Sequence, residues 1–221
     1  MQQRTQPQAL QVFLHLPGPT TGRGSKLGAG AAAALFACAS ALAAAVLACA
    51  GVLAAGATGV AGAAASCPGA NLRPSARNLV AVDAATLCLV NLERSAHGLR
   101  PLHANSALGH VAARQVTSMV RRDYFADVGP SGQTPMSLVA VTRYPAHAAQ
   151  VVVGQNIAWG TGSYTTPAHI VAEWLASAPH REIMLGGEYR DAGVAVTPAV
   201  PAVLHTRGRG ATYAIEFGAR Y

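Results

Sequence analysis

No charged residue occurs between Lys26 and Arg73. The interval is mostly alanine with leucine, valine and glycine, and Arg4, Arg23 and Lys26 stand on its amino side. Positive residues in that position hold their side in the cytoplasm, because carrying Lys or Arg across a bilayer is costly. The chain on the carboxyl side of the run is therefore expected outside, either secreted or on the extracytoplasmic face of the membrane. Three routes share this pattern. Ala63-Ala64-Ala65 before Ser66 offers a small-x-small cleavage site. The run also exceeds the roughly 20 apolar residues that an uncleaved anchor needs. Val46-Leu47-Ala48 before Cys49, and Ala64-Ala65-Ser66 before Cys67, loosely resemble lipid-attachment sites. The chain divides accordingly into residues 1–65, an export signal or N-terminal membrane anchor, a lead-in coil over 66–81, and one domain over 82–221.

The apolar run inflates the hydrophobic fraction to 51%, so that figure does not argue for a membrane protein. Beyond residue 66 no apolar stretch approaches spanning length. From Ser66 onward, 13 arginines and no lysine stand against 9 acids, a formal charge of +4. Such mild basicity suits an acidic envelope or polymer surface and is too weak and scattered to argue for nucleic acid. An oxidising compartment favours a disulfide between Cys67 and Cys88, which would contribute roughly 3 kcal/mol by constraining the unfolded chain. Two free thiols are the alternative, and a lipidated Cys67 would forbid the bridge.

The remaining pattern predicts helices first and strands late. From Val82, the residues Ala85, Leu89, Leu92 and Ala96 share a helical face, with Leu87 and Val90 beside it, that Gly98 and Pro101 terminate. A second helix opens at Asn105 or Ser106, turns Leu108, Val111, Ala112, Gln115 and Met119 inward, and ends near Arg121-Arg122. A turn-rich loop occupies 126–135, a short helix 136–141, and a short strand or extended stretch Val151–Val153, which runs into Gly154-Gln155-Asn156-Ile157-Ala158. Another helix starts at Pro167 and buries Ile170, Val171, Trp174 and Leu175. Residues 193–197 and 211–217 read as strands, with a hairpin loop over 206–210. The order gives an α+β domain with a late antiparallel sheet.

Asn91-Leu92-Glu93-Arg94, Gly98-Leu99-Arg100-Pro101-Leu102, Asn105 to Leu108, Tyr124-Phe125, Gly132-Gln133-Thr134-Pro135, Gly154-Gln155-Asn156-Ile157-Ala158-Trp159-Gly160, Trp174 to Arg181, Asp191-Ala192-Gly193-Val194 and Phe217-Gly218 occur in that order. The ordered set resembles bacterial CAP-superfamily (SCP-like extracellular) domains, relatives of cysteine-rich secretory, antigen 5 and pathogenesis-related proteins. It covers essentially residues 82–221. The resemblance implies a three-layer α-β-α sandwich with a cleft that, in the family, carries two histidines and two acids able to hold a divalent metal. The first histidine position falls on Asp127, one acid on Gln155, the other acid near Ser177, and the last histidine on His180. One position of four is kept, so a degenerate cleft of Asp127, Gln155, Asn156, Ser177 and His180 is expected.

Three chemistries are open to these residues. Ser177 and His180 can meet across one helical turn, with Glu173 four residues before Ser177 to orient the base; that arrangement would suit a weak hydrolase. Against it, Ser177 closing a helix end and His180 bonding to backbone is the plainer expectation. Asp127 and His180, with the Gln155 carbonyl, are candidate ligands for Zn²⁺ or Ca²⁺, and His169–Glu173 is a second candidate pair. Without metal or catalysis, the domain is a binding module for a lipid, a small apolar ligand or an envelope polymer. Asn156 is expected to be structural, Trp159 and Trp174 to be core and cleft wall, and the domain to be a monomer with no nucleic-acid partner. Loss of matched acid and histidine favours the non-catalytic reading.

Overall fold

A computed structural model of the chain describes the backbone of Ala9–His15 and residues 66–221 in full. In chain order the elements are strand β1 (Ala9–His15), helix α1 (Leu79–Ala96), strand β2 (His103–Ala104), helices α2 (Ser106–Arg121) and α3 (Pro135–Ala140), strand β3 (Gln150–Thr161), helices α4 (Pro167–Ala176) and α5 (Ala178–Met184), and strands β4 (Asp191–Thr197) and β5 (Gly210–Arg220). The sheet order is β1-β3-β5-β4-β2. β3, β5 and β4 run antiparallel to one another in turn, and the two-residue β2 lies parallel to β4. β1 pairs antiparallel with the outer side of β3. It falls within the segment read as an export signal; the rest of residues 1–65 lies outside the described residues. Among the described residues, no helix is long and apolar enough to cross a membrane.

The sheet is covered on both faces, giving the α+β, α-β-α layering. On one face, Val82 and Val90 of α1, Ile170 and Trp174 of α4 and Ile183 and Met184 of α5 pack on Val152, Ala158, Tyr213, Ile215 and Phe217. On the other, Leu108, Val111 and Met119 of α2 and Leu138 and Val139 of α3 meet Val151, Val153, Ile157, Ala195 and Ala214. Alternate residues of one strand therefore enter different cores. β3 is twelve residues long where the pattern suggested three, because it is buried on both sides and shows no polar alternation to mark it.

Local chemistry explains where the helices begin. The Asn105 carboxamide accepts from Ala107 N and Leu108 N and starts α2. Thr134 and Ser137 form a reciprocal capping box on α3. α2 lies directly on β4: a Cβ at Gly193 would collide with the backbone of Gly109, so no larger residue fits there.

α1 departs from its expected face. Its buried residues are Val82, Ala85, Thr86, Val90 and Arg94, so the helix is rotated away from Leu92 and Ala96. The reason is Arg94, which is fully buried. Its guanidinium donates to the carbonyls of Arg100, Met184 and Gly186. Asn91, one turn earlier, both donates to Leu102 O and accepts from Leu102 N, pinning the chain that leads into β2. A Cys67–Cys88 disulfide joins the lead-in segment to the same helix, with Cα atoms 5.7 Å apart. That bond occupies the Cys67 sulfur and is incompatible with lipid attached there.

Candidate functional site

β3 divides the expected cleft residues between two faces. Gln155 points with Val153 and Ile157 toward α2, and Asn156 points with Val152 and Ala158 toward α4 and α5.

On the α2 side the register sets Gln155 opposite Glu216 of β5. Gln155 Nε2 donates to Glu216 Oε1 in a short hydrogen bond. Glu216 has no solvent exposure, and its Oε2, like Gln155 Oε1, has no hydrogen-bond partner among the described residues. Burial pushes the Glu216 carboxyl up to about 8; the Gln155 bond opposes that shift, and the nearby Asp127 charge adds to it. Asp127 is itself nearly buried, and desolvation raises its carboxyl to about 7. The loop that carries Asp127 is fastened to α2 by Gln115, whose Nε2 donates to Ala126 O at 2.8 Å and Asp127 O at 3.3 Å.

Gln155 stands where the family resemblance calls for an acid, and an acid is present one strand away. Glu216 was not among the expected site residues. Sequence spacing gives no hint that residues 61 apart face each other. The available signal was a lone acid in an apolar strand, Ala211 to Phe217, both faces of which prove to be covered.

On the α4–α5 side, Ser177 Oγ and His180 Nδ1 lie 2.8 Å apart. Asn156 Nδ2 donates to His180 O at 2.9 Å, fixing the start of α5 to the sheet. His180 has no exposed surface. Ser177 is not inside one continuous helix: its backbone is extended (φ −90°, ψ 118°) and it separates α4 from α5. Glu173, expected to orient the base, instead faces His169, Nε2 to Oε1 3.5 Å, on the half-exposed side of α4. Trp174 is core, with Nε1 donating to Ile157 O.

For a metal, the residues do not make a ligand set. Among the described residues, no group of three or more His, Cys, Asp and Glu is placed to hold an ion. Zinc takes three or four N, S or carboxylate ligands, and calcium six to eight oxygens. Asp127 and Glu216 supply two carboxyls, each of which burial drives toward its protonated form.

The chain is similar to several known bacterial proteins. A Bacillus subtilis protein described as "Uncharacterized protein YkwD" is 29% identical over 106 residues, which is 48% of this chain and 38% of that protein. The chain thus spans well under half the length of that relative. Among solved structures, an extracellular SCP-domain protein from Bacillus anthracis is 22% identical (TM-score 0.48, 64% of this chain and 40% of that one). An outer surface protein from Borrelia burgdorferi is 17% identical (TM-score 0.49, 61% and 90%). The pattern of the CAP family, the cysteine-rich secretory protein family, matches residues 87–199, from the middle of α1 to just past β4. That match takes in more than half of the 221 residues, and the chain belongs to the CAP family.

Proposed function

We propose that the domain is an exported, non-catalytic binding module of the cell envelope or its surroundings. The observation that carries the reading is the state of the one family histidine retained. His180 is wholly buried, and the carboxylate expected to align it is engaged with His169 on the helix surface. Glu173 therefore does not orient the base of a Ser177–His180 pair, and the buried imidazole could meet a substrate only through Ser177.

A place for a ligand exists elsewhere. A groove of about 420 Å³ runs between α1 and the start of α2 over β4, with apolar walls from Ala84, Leu87 and Val194. Its size falls in the range of small-molecule sites, which supports a small apolar ligand. The Ser177–His180 contact favours the second reading, a weak hydrolase.

One experiment separates the two. The full chain is assayed on generic ester and peptide substrates beside His180→Ala, and in parallel for uptake of a fluorescent fatty acid. Uptake without turnover is the expected result. Turnover that His180→Ala abolishes would overturn the binding-module reading.

A further inference from the structure

Helix α2 has no acidic residue, and its solvent side carries His110, Arg114, Thr117 and Arg121, all exposed, with Arg122 next at its end. Residues at this spacing share one face. Arg114 and Arg121 are seven residues apart, about 10 Å along the axis. Among the described residues, Arg114, Arg121 and Arg122 form no ion pair. The positive charge that looked scattered in the sequence is here gathered on one face, outside the ion pairs of the described residues.

Beside this stripe is a polar pocket of about 150 Å³, between the second half of α2 and the loop leading to α3. Arg114, Gln115, Ser118, Arg122, Tyr124 and Gln133 line it. Its walls are held in place. Tyr124 donates its hydroxyl hydrogen to Ser118 Oγ, and Arg122 Nη2 donates to Ser131 Oγ, both at 2.9 Å. Gly129 N bonds to Gln133 O and closes the loop on itself. Gln115 forms the buried floor and has its amide turned away to the Ala126 and Asp127 carbonyls.

Two acids are close to the pocket, against the three arginines of the stripe and its end. Asp123 accepts from Val203 N, and Asp127, behind the floor, is held toward its neutral form by burial. Two guanidinium groups, the Ser118 hydroxyl and the Gln133 amide around a small volume match a tetrahedral oxyanion, for which arginine is the most suitable side chain.

We propose that this pocket seats a phosphate group of a phosphate-bearing polymer, and that the α2 stripe holds the neighbouring charges of the same polymer. The site is distinct from the apolar groove and stands whether or not that groove is filled.

The test uses the full chain and inorganic polyphosphate as the probe, with orthophosphate as competitor and vesicles rich in phosphatidylglycerol as the alternative source of phosphate. The expected result is polyphosphate binding that weakens steeply between about 50 and 200 mM salt. Orthophosphate should compete. The double variant Arg114→Ala/Arg122→Ala should bind about tenfold or more weakly, since charge-assisted forks dominate such contacts. Arg121→Ala should give an intermediate loss. Arg77→Ala, which removes one exposed charge far from α2 in sequence, should change affinity less than about twofold. Equal losses in Arg77→Ala and Arg121→Ala would mean non-specific charge and overturn the proposal. So would vesicle binding without polyphosphate binding, or no binding to either.

Discussion

The two faces of the sheet treat buried polar groups differently. On the side of α1, α4 and α5, several such groups end on backbone carbonyls: Trp174 on Ile157, the Tyr213 hydroxyl on Thr165, Asn156 on His180, and Arg94 on three carbonyls at once, while the His180 ring meets the Ser177 hydroxyl. These bonds tie helices and loops to the sheet and to one another, and the polar side chain acts as a brace. On the α2 side Gln115 also ends on carbonyls, but Gln155 and Glu216 bond side chain to side chain across two strands, with the loop carboxyl of Asp127 near enough to raise Glu216. Carboxyls kept above their ordinary range by burial are poor braces, because ionising either one costs stability. The α2 side gathers two such carboxyls around one amide, while the other side has Asp83 of α1, which burial raises to about 7.

The comparison breaks most visibly at Arg94. Replacing it with alanine leaves three carbonyls without their donor and a cavity in the core. The expected loss is on the order of 3 kcal/mol or more in chemical denaturation. Lysine, with no fork, should not restore it. A loss below about 1 kcal/mol, the scale of one ordinary hydrogen bond, would show that Arg94 is not a brace.

A smaller effect, visible mainly as a pH dependence, is expected at Glu216. Asp127 and Glu216 titrate near 7 and 8 in the folded domain and near 4 when unfolded. Between those limits the folded state holds more protons, so their contribution to stability is full below about pH 4 and is lost as pH rises toward 8. Glu216→Gln keeps the acceptor for Gln155 and removes one titration. Its stability should therefore fall less than the parent's between about pH 5 and 8, as read from melting temperature across that range. Parallel curves for the two proteins would show that Glu216 does not titrate there.

The least effect is expected at Glu173→Gln. An i,i+4 pair with half-exposed partners is worth only about 0.5 kcal/mol or less, so the melting temperature should barely move. A drop of several degrees would place Glu173 in the His180 network after all.

Much of the fold was legible because its signals are local. Asn105 before a periodic run announces α2, and Pro167 after Thr166 announces α4. Legibility failed where a tertiary partner decides. The face of α1 turns on Arg94, a charged residue whose burial depends on carbonyls 90 and more positions away. The helix break at Ser177 did have a local sign: Pro179 has no N–H for the Leu175 carbonyl, which Arg181 Nη1 meets instead at 2.7 Å. The site was half legible. The family positions led to Gln155 and His180, but the Gln155–Glu216 pair exists only once two strands are in register.

The Cys67–Cys88 bond also determines how the domain would bear tension. Tension arriving at residue 67 would bypass the 20 residues between the two cysteines and enter the fold at the middle of α1. The first turns of that helix could not be peeled away one by one. Force would instead meet the stretch where Val90 and Arg94 are locked into the core, so the domain would yield as a unit or hold.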